Sequence, residues 1–491
     1  MRDVEQHDIR GPRALTRRGF LQAAVGTTGL LLLSACGGAT QAPAPKPTEA
    51  PKPAAPAAKP TEAAKPAAEA KPAAQPTTQA APAAKAPVSL KGTTLSWLQW
   101  TSFIPTADAF VKKQLEEGLA KETGATINFE AIDANQIQPR LSASVQAGTG
   151  PDIVHIRDNW AHTYKESLVD VSDVVEDLKK EWGELYPALD AVTKVDGKYL
   201  AVPHDFSGGV IHWRKSWFKE VGTEKFPETF DEYHAVGKKL KEKGRPFGQA
   251  YGHSFGDPPG WCYATMWAYG GREVDEQGKV AINSPETIAA LKANAQAFKD
   301  AYDETGLAWD DGANNRAFLA ETIAATQNGS SIWFVAKSGP TGKEASMPFF
   351  DDIALNPIPG GPKGRFLLPG LDNYVIPKYS KNVDAAKEFI KWQMTDPVWM
   401  PLFEVFGSFV TGVGPKQNDN PIWEKFPPVS RVFKQAPEGF RTLGWPGPAN
   451  DKVGSVVSRY IVVDMFARAV QGESPEQAVA WAEREMKSVY G

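Results

Sequence analysis

The sequence has few cysteines, no excess of basic residues and no long apolar run. Two cysteines in 491 residues argue against a disulfide scaffold and exclude any site built from four cysteines. With 54 Lys and Arg against 58 Asp and Glu, the net charge of −4 argues against a nucleic-acid-binding protein. A mean hydropathy of −0.36, with no run of about 18 apolar residues, argues against a polytopic membrane protein.

The sequence also lacks the groupings of side chains that bind metals or hydrolyse esters. Its seven histidines do not cluster at the short spacings of metal ligands. Residues 252–256 match the G-x-S-x-G pattern of serine hydrolases, but His253 is the last histidine, so none follows Ser254 to complete a triad. Pro258 and Pro259 argue against the helix that this motif requires. No pair of acids is marked out as the catalytic carboxylates of a glycosidase.

The first 35 residues have the pattern of an export signal. Arg17 and Arg18 precede a short apolar stretch that ends in Leu-Ser-Ala-Cys at residues 33–36. The arginine pair resembles the twin-arginine signal, although general secretory signals also carry adjacent arginines. The four-residue ending resembles the bacterial lipobox, which implies that Cys36 is lipidated and anchors the protein to a membrane. Cys262 would then be the single free thiol.

Residues 36–87 have the composition of a tether. Between residues 39 and 87 there are 20 Ala and 12 Pro, and no Val, Ile, Leu, Met or aromatic residue. Such a stretch buries too little apolar area to offset the entropy lost on ordering, so we predict a disordered Ala/Pro/Lys linker. Frequent proline favours extended polyproline II.

From residue 88 onward, strand and helix patterns alternate. Strands are predicted at residues 93–97, 127–131 and 152–156, and helices at 105–122 and 136–147. Later helices are predicted from residue 285 and over 384–394, with a capping box at 474–477 starting the last one. Two β–α–β crossovers in succession predict an α/β fold with a parallel or mixed sheet flanked by helices.

A series of segments resembles bacterial extracellular solute-binding proteins of ATP-binding cassette importers, in their sugar-binding branch. The resemblance lies in the order of these segments along the chain, since each is weak alone. They are Gln146 to Val154 (QAGTGPDIV), Asp196 to Pro203 (DGKYLAVP), Trp213 to Gly222 (WRKSWFKEVG), Pro227 to Glu232 (PETFDE), Gly271 to Val274 (GREV), Ser284 to Glu286 (SPE) and Pro377 to Asn382 (PKYSKN).

The resemblance implies a two-lobe clamp of the type II periplasmic-binding-protein kind, with three crossovers between lobes. The N-terminal lobe would hold residues 88–204 and 365–406, and the C-terminal lobe residues 205–364 and 407–491. It implies an exported, lipid-anchored monomer on the outer face of the cell membrane, without a cofactor, metal or nucleic-acid partner and without catalysis. Such a protein captures a mono- or oligosaccharide by hinge closure and delivers it to a membrane permease. The alternatives are a non-sugar solute (a polyol, sugar phosphate, polyamine or metal) or a carbohydrate-active enzyme.

Sugar recognition needs aromatic faces and planar polar groups, and ligands of open α/β sheets sit beyond strand ends. Resemblance to sugar-binding relatives places the segments of Trp160, Trp333, Asp372 and Trp445 at the cleft. The alternative for each Trp is the core, and for Asp205, Asp372 and Asn373 a helix cap or turn. The predicted ligand-binding residues are Trp100, Arg157, Asp158, Trp160, Asp205, Phe206, Trp261, Asn328, Trp333, Asp372, Asn373 and Trp445.

Overall fold

The computed structural model describes residues 90–407, 409–426 and 439–491. The predicted export signal, the predicted lipidation site Cys36 and the whole predicted linker lie outside the described residues. Within the described part of the chain, every helix is too short or too polar to cross a membrane.

A six-stranded mixed sheet organises the first part of the fold. Its order is β11-β6-β10-β3-β1-β2; β2, β1 and β3 run parallel, and β10 is antiparallel to both β3 and β6. This confirms the α/β prediction and its first three strands. The strands are β1 (Thr94–Trp100), β2 (Thr126–Ile132), β3 (Ile153–Arg157), β4 (Lys194–Val195), β5 (Lys198–Tyr199), β6 (Val202–Ser207), β7 (Val210–Arg214), β8 (Ala325–Asn328), β9 (Ile353–Asn356), β10 (Gly370–Val375) and β11 (Val410–Thr411).

A second, three-stranded sheet has the order β8-β7-β9, with both neighbours antiparallel to β7. Strands β4 and β5 form a separate two-stranded hairpin. We call the six-stranded sheet with its helices the larger lobe and the three-stranded sheet with its helices the smaller lobe.

Helices cover both sheets, and the predicted ones are observed. The helix predicted at 105–122 continues through a π-type turn and ends where Gly124 adopts a positive φ of 73°. The α-helices are Pro105–Gln114, Ala120–Thr123, Ala134–Ala147, Trp160–Thr163, Ser172–Trp182, Pro187–Thr193, Lys215–Glu220, Phe230–Glu242, Asp257–Tyr269, Pro285–Ala301, Ala313–Leu319, Ser331–Ser338, Val383–Met394, Asp396–Val405, Pro415–Asn418, Asp451–Ser458, Ile461–Val470 and Pro475–Tyr490.

The chain passes from the larger to the smaller sheet at Gly208 and Gly209, between β6 and β7, and returns between β9 and β10. Strand β11 pairs with β6, so residues 410–411 stay with the larger sheet, beyond the predicted lobe limit at residue 406. The helix Asp451–Ser458 packs on the last two helices of the smaller lobe. The exact domain limits stay a prediction.

Each lobe has an aromatic core. In the larger lobe, the Trp97 ring meets the rings of Phe129, Tyr374 and Phe389 edge-on, with centroids 4.9 to 5.5 Å apart. In the smaller lobe, the buried Trp261 ring packs at 5.6 Å from Phe230. Aromatic side chains of this size bury about 150–250 Å² each, so these clusters contribute much of each lobe's hydrophobic stabilisation.

Candidate ligand-binding site between the two sheets

A cavity opens where the two sheets face each other at the Gly208–Gly209 passage. It contains about 510 Å³ of space free of protein atoms, part of it open to solvent. Strands β1, β3 and β6 end at this edge, and β10 begins there. The lining residues are Trp100, Phe103, Arg157, Ser207, Gly208, Gly209, Phe255, Gly256, Asp257, Gly260, Asp311, Gln327, Asn328, Gly329, Leu368, Gly370 and Phe409.

On the larger lobe, sheet register places charged side chains in one row. Asp372 in β10 is the Cα partner of Arg157 in β3 and of Asp205 in β6. Residues directly opposite on neighbouring strands share a face of the sheet, so the row runs from Arg157 through Asp372 to Asp205. Asp372 is 215 residues from Arg157 and 167 residues from Asp205 along the chain.

A β-bulge in β6 adds a histidine to this row. The pairing shifts between Asp372 and Asn373, so that His204 is the additional residue on β6. Its Nδ1 lies 2.7 Å from Oδ2 of the neighbouring Asp205, and its ring centroid lies 4.6 Å from that of His155. The bulge therefore directs the side chains of two consecutive residues, His204 and Asp205, into the same buried cluster.

His155 links this cluster to the cavity wall. Its Nε2 lies 3.0 Å from both Trp100 Nε1 and Asp372 Oδ1. One nitrogen cannot accept a proton from the indole and donate one to the carboxylate at the same time. The position of the proton on His155 therefore decides which contact is a hydrogen bond, and Trp100 lines the cavity beside it.

Arg157 forms the centre of the larger-lobe wall. Its guanidinium lies 4.6 Å from the Phe255 ring centroid and 6.0 Å from that of Trp100, within cation–π range. Its Nε is 3.7 Å from Asp158 Oδ2. A Cβ at Gly370 would lie 1.6 Å from Nη2 of Arg157, so only glycine leaves room for the guanidinium there.

Burial and charge separate the pKa values of the acids around Arg157. Burial raises the pKa of Asp158 to about 6, although Arg157 opposes this. Burial and the negative charge of Asp372 raise the pKa of Asp205. Burial would raise the pKa of Asp372 as well, but Arg157 and His155 outweigh it and hold that pKa at about 2. Burial lowers the pKa of His204 to about 4. Asp372 is therefore the ionised partner of Arg157 at neutral pH.

On the smaller lobe, Asp311 organises the loop that faces Arg157. Its carboxylate accepts hydrogen bonds from Ser254 Oγ at 2.8 Å, Gly256 N at 3.1 Å and Asp257 N at 2.8 Å. A helix begins at Asp257 despite Pro258 and Pro259, so the prediction that these prolines oppose a helix was wrong. Prolines in the first turn are tolerated because the N–H groups there have no partner within the helix.

Asp257 and Asn328 form the next part of this wall. Oδ2 of Asp257 accepts from Nδ2 of Asn314 at 2.7 Å and from Nδ2 of Asn328 at 3.3 Å. Burial, followed by the charge of Asp311, raises the pKa of Asp257. Gln327 approaches the interlobe passage so closely that a Cβ at Gly209 would lie 1.9 Å from its Nε2.

Nine of the twelve predicted site residues lie in or next to the wall of this cavity, in three groups. Trp100, Arg157 and Asn328 line the cavity, and Asp158 lies directly beside Arg157. Trp160 and Asp372 line a small adjoining pocket with Arg157. Asp205, Phe206 and Asn373 are buried behind the wall; the Phe206 ring packs against Tyr186 and Phe440, and Asn373 Nδ2 donates to Leu371 O.

Three predicted tryptophans lie elsewhere. Trp261 is 1% exposed in the smaller-lobe core, where its Nε1 donates to Tyr251 Oη and Asn294 Oδ1, so it does not reach the cavity. The Trp333 ring packs at 5.7 Å from Phe350. Trp445 lines a separate surface cavity with Trp267 and Phe366. All three differ from the expected placement because helix and loop geometry, not strand ends, decides their direction.

Several cavity residues do not directly follow a predicted strand, so the sequence pattern did not predict them. Phe103 follows β1 by three residues, whereas Phe255 and Asp257 lie at a helix start and Asp311 lies in the turn before another helix. The glycines around Asp257, at 256 and 260, were the available signal for a close approach. Within the described ranges, no group of three or more His, Cys, Asp or Glu side chains is arranged to hold a metal.

Comparison with solved structures identifies the fold as that of two-lobe periplasmic-type binding proteins. The maltose-bound MalE3 of T. maritima is similar, with a TM-score of 0.69 and 19% identity over 81% of this chain and 100% of that chain. A solute-binding protein of Agrobacterium radiobacter in complex with ribitol has a TM-score of 0.67 and 23% identity over 82% of this chain and 100% of that chain. At these identities the likeness shows the fold.

Residues 107–424 match the bacterial extracellular solute-binding protein family, and the chain belongs to that family. A binding protein of Brucella abortus is 23% identical over 303 residues, which are 58% of this chain and 66% of the relative. The diacetylchitobiose-binding protein DasA of Streptomyces coelicolor is 26% identical over 302 residues, 57% of this chain and 65% of DasA. The chain therefore aligns with just under two thirds of the length of these relatives. Its family and relatives are binding proteins, and the family is extracellular.

Proposed function

We propose that the protein captures a mono- or oligosaccharide in the cavity between its two sheets and delivers it to the permease of an ATP-binding cassette importer. The observation that carries this proposal is the composition of the cavity wall. The rings of Trp100, Phe103 and Phe255 offer apolar faces to sugar C–H groups, while Asp257 and Asn328 offer polar groups to hydroxyls. The relatives' names support the same ligand class, since they include maltotriose- and arabinooligosaccharide-binding proteins.

Capture would proceed by closure of the two lobes. The chain connects the sheets at Gly208 and Gly209, which line the cavity, so a small change of backbone angle there moves one wall towards the other. A ligand that contacts both walls binds the closed form more tightly and so favours it. The closed form would dock on the permease as a monomer.

The proposal includes anchoring at the outer face of the membrane through lipid on Cys36. The linker predicted from the sequence would tether the two lobes to that lipid. The site would perform no chemistry: in the structure Ser254 is fully buried and donates its hydroxyl hydrogen to Asp311 instead of to a histidine.

A ligand screen by thermal shift and tryptophan fluorescence tests this function. We expect a cognate sugar at about 100 times its Kd to stabilise the protein by about 2.7 kcal/mol and to change the fluorescence of Trp100. Trp333→Phe and Trp445→Phe serve as matched controls that keep the response, because both side chains lie away from the cavity. The sugar assignment fails if a broad carbohydrate panel has no effect while a polyamine or a peptide does. Turnover of esters or glycosides would contradict a pure binding role.

A further inference from the structure

Some of the ionisable side chains that line the cavity have an oppositely charged neighbour and others do not. Arg157, Asp257 and Asp311 are its charged lining residues. Arg157 already faces Asp372, its cross-strand partner, and Asp158. Within the described residues, neither Asp257 nor Asp311 has a Lys, Arg or His at ion-pair distance. The smaller-lobe wall therefore holds two neighbouring acids that no basic side chain of the described residues pairs.

Only one of these two acids has room for a ligand. Both oxygens of Asp311 are used, because Oδ1 accepts from Ser254 and Asp257 and Oδ2 accepts from Gly256. Asp257 accepts protein donors through Oδ2 alone, and among the described residues no group donates to its Oδ1. Asp257 thus presents one free carboxylate oxygen in the cavity wall.

A second acceptor in the same wall is also unused. Gln327 lines the cavity, its side chain is 4% exposed, and its Oε1 has no hydrogen-bond partner in the described structure. A buried acceptor without a partner is costly, so a ligand that supplies a donor stabilises it. Two acceptors, one of them a carboxyl group without an ion-pair partner among the described residues, select a group that carries several N–H donors. A positive charge on that group also offsets the rise that burial causes in the pKa of Asp257, so it favours the carboxylate form.

We propose that the ligand carries an ammonium group that binds between Asp257 and Gln327, so that the cavity selects an aminated sugar over its neutral and N-acetylated counterparts. This inference rests on the proposed function, because it takes the ligand to be a carbohydrate. The aromatic rings of Trp100 on the larger lobe and of Phe255 on the smaller lobe then contact the sugar ring, and the ammonium fixes its orientation.

Three β-1,4-linked disaccharides that differ only at carbon 2 test the inference. Isothermal titration of the full chain at pH 6.5 compares chitobiose with free amines, N,N′-diacetylchitobiose and cellobiose. One charge-assisted hydrogen bond to a buried carboxylate predicts that chitobiose binds about tenfold or more tightly than cellobiose. In Asp257→Asn, the ratio of the two affinities falls towards one. The matched control Asp310→Asn removes an exposed acid next to Asp311 and keeps the ratio.

The wild-type comparison needs no variant, so the test does not depend on the folding of Asp257→Asn. Equal or tighter binding of cellobiose or the diacetylated sugar overturns the inference and leaves the proposed function standing. An unchanged affinity ratio in Asp257→Asn also overturns it. If no carbohydrate binds while spermidine does, both the inference and the proposed function fail.

Discussion

The two walls of the cavity are built in different ways. The larger-lobe wall is set by strand register: Arg157, Asp372 and Asp205 are direct neighbours across three paired strands, and Asp372 is 1% exposed. The smaller-lobe wall is a loop and a helix start, held by hydrogen bonds to the carboxylate of Asp311.

Because of this difference, we expect the larger-lobe wall to determine stability and the smaller-lobe wall to determine which ligand binds. The larger-lobe wall is a buried ionic network whose members depend on one another, so its alteration affects folding. Among the described residues, no group donates to Asp257 Oδ1 or Gln327 Oε1 in the smaller-lobe wall, so this is the side that can respond to ligand chemistry. A two-lobe clamp needs both kinds of wall, because on closure one ligand contacts the rigid larger-lobe wall and the selective smaller-lobe wall.

The largest effect is expected at Arg157. Arg157→Met removes the positive charge that compensates Asp372 and Asp158, and it should lower the free energy of unfolding by about 3–5 kcal/mol. Denaturant titration followed by circular dichroism measures the loss. Arg316→Met, at an arginine with 71% exposure, is the control and should change stability by less than about 0.5 kcal/mol. Equal losses in the two variants would contradict a network centred on Arg157.

Asp158 should give the larger-lobe wall its own pH dependence. Its pKa is about 6 in the folded protein and about 3.9 in an unfolded chain, so the native state holds a proton that the unfolded state releases. The free energy of unfolding should therefore fall by about 2 kcal/mol, relative to Asp158→Asn, as pH rises from 4 to 6. Asparagine suits this position because residue 158 has a positive φ of 48°.

Urea titrations at several pH values between 4 and 6 measure this difference. The control Glu116→Gln removes an exposed carboxyl group and should leave the pH dependence unchanged. Parallel curves for the wild type and Asp158→Asn would show that Asp158 ionises alike in the folded and unfolded states.

The smallest effect is expected at the smaller-lobe wall. Ser254→Ala removes one of three donors to Asp311 and should cost about 1 kcal/mol of stability. Ser458→Ala, at an exposed helix position, is the matched control. A loss at Ser254 as large as that at Arg157 would break the distinction between the two walls.

The sequence predicted the larger lobe better than the smaller one. Period-two strands, a proline-started helix and turn glycines are local signals, so β1, β2, β3 and the helices between them were confirmed. Arg157 and Trp100 follow directly from the ends of those strands. The pairing of Asp372 with both Arg157 and Asp205 depends on long-range register, which no local pattern carries.

The smaller-lobe wall was missed for a related reason. Asp257 directly follows the G-x-S-x-G pattern at residues 252–256, and its placement in the wall depends on Asp311, 54 residues away in sequence. Trp261, Trp333 and Trp445 illustrate the same limit, since an aromatic residue carries no local signal that distinguishes core from cavity. The fold followed from local patterns, whereas the site required contacts between distant segments.

A crystal structure with bound disaccharide tests the central claim most directly, namely that ligand binds between the two walls. The account predicts density in contact with Trp100 and Arg157 on one side and Asp257 on the other, with the lobes closed about Gly208 and Gly209. Ligand density confined to the separate cavity beside Trp445 and Trp267, with the interlobe cavity empty, would contradict it.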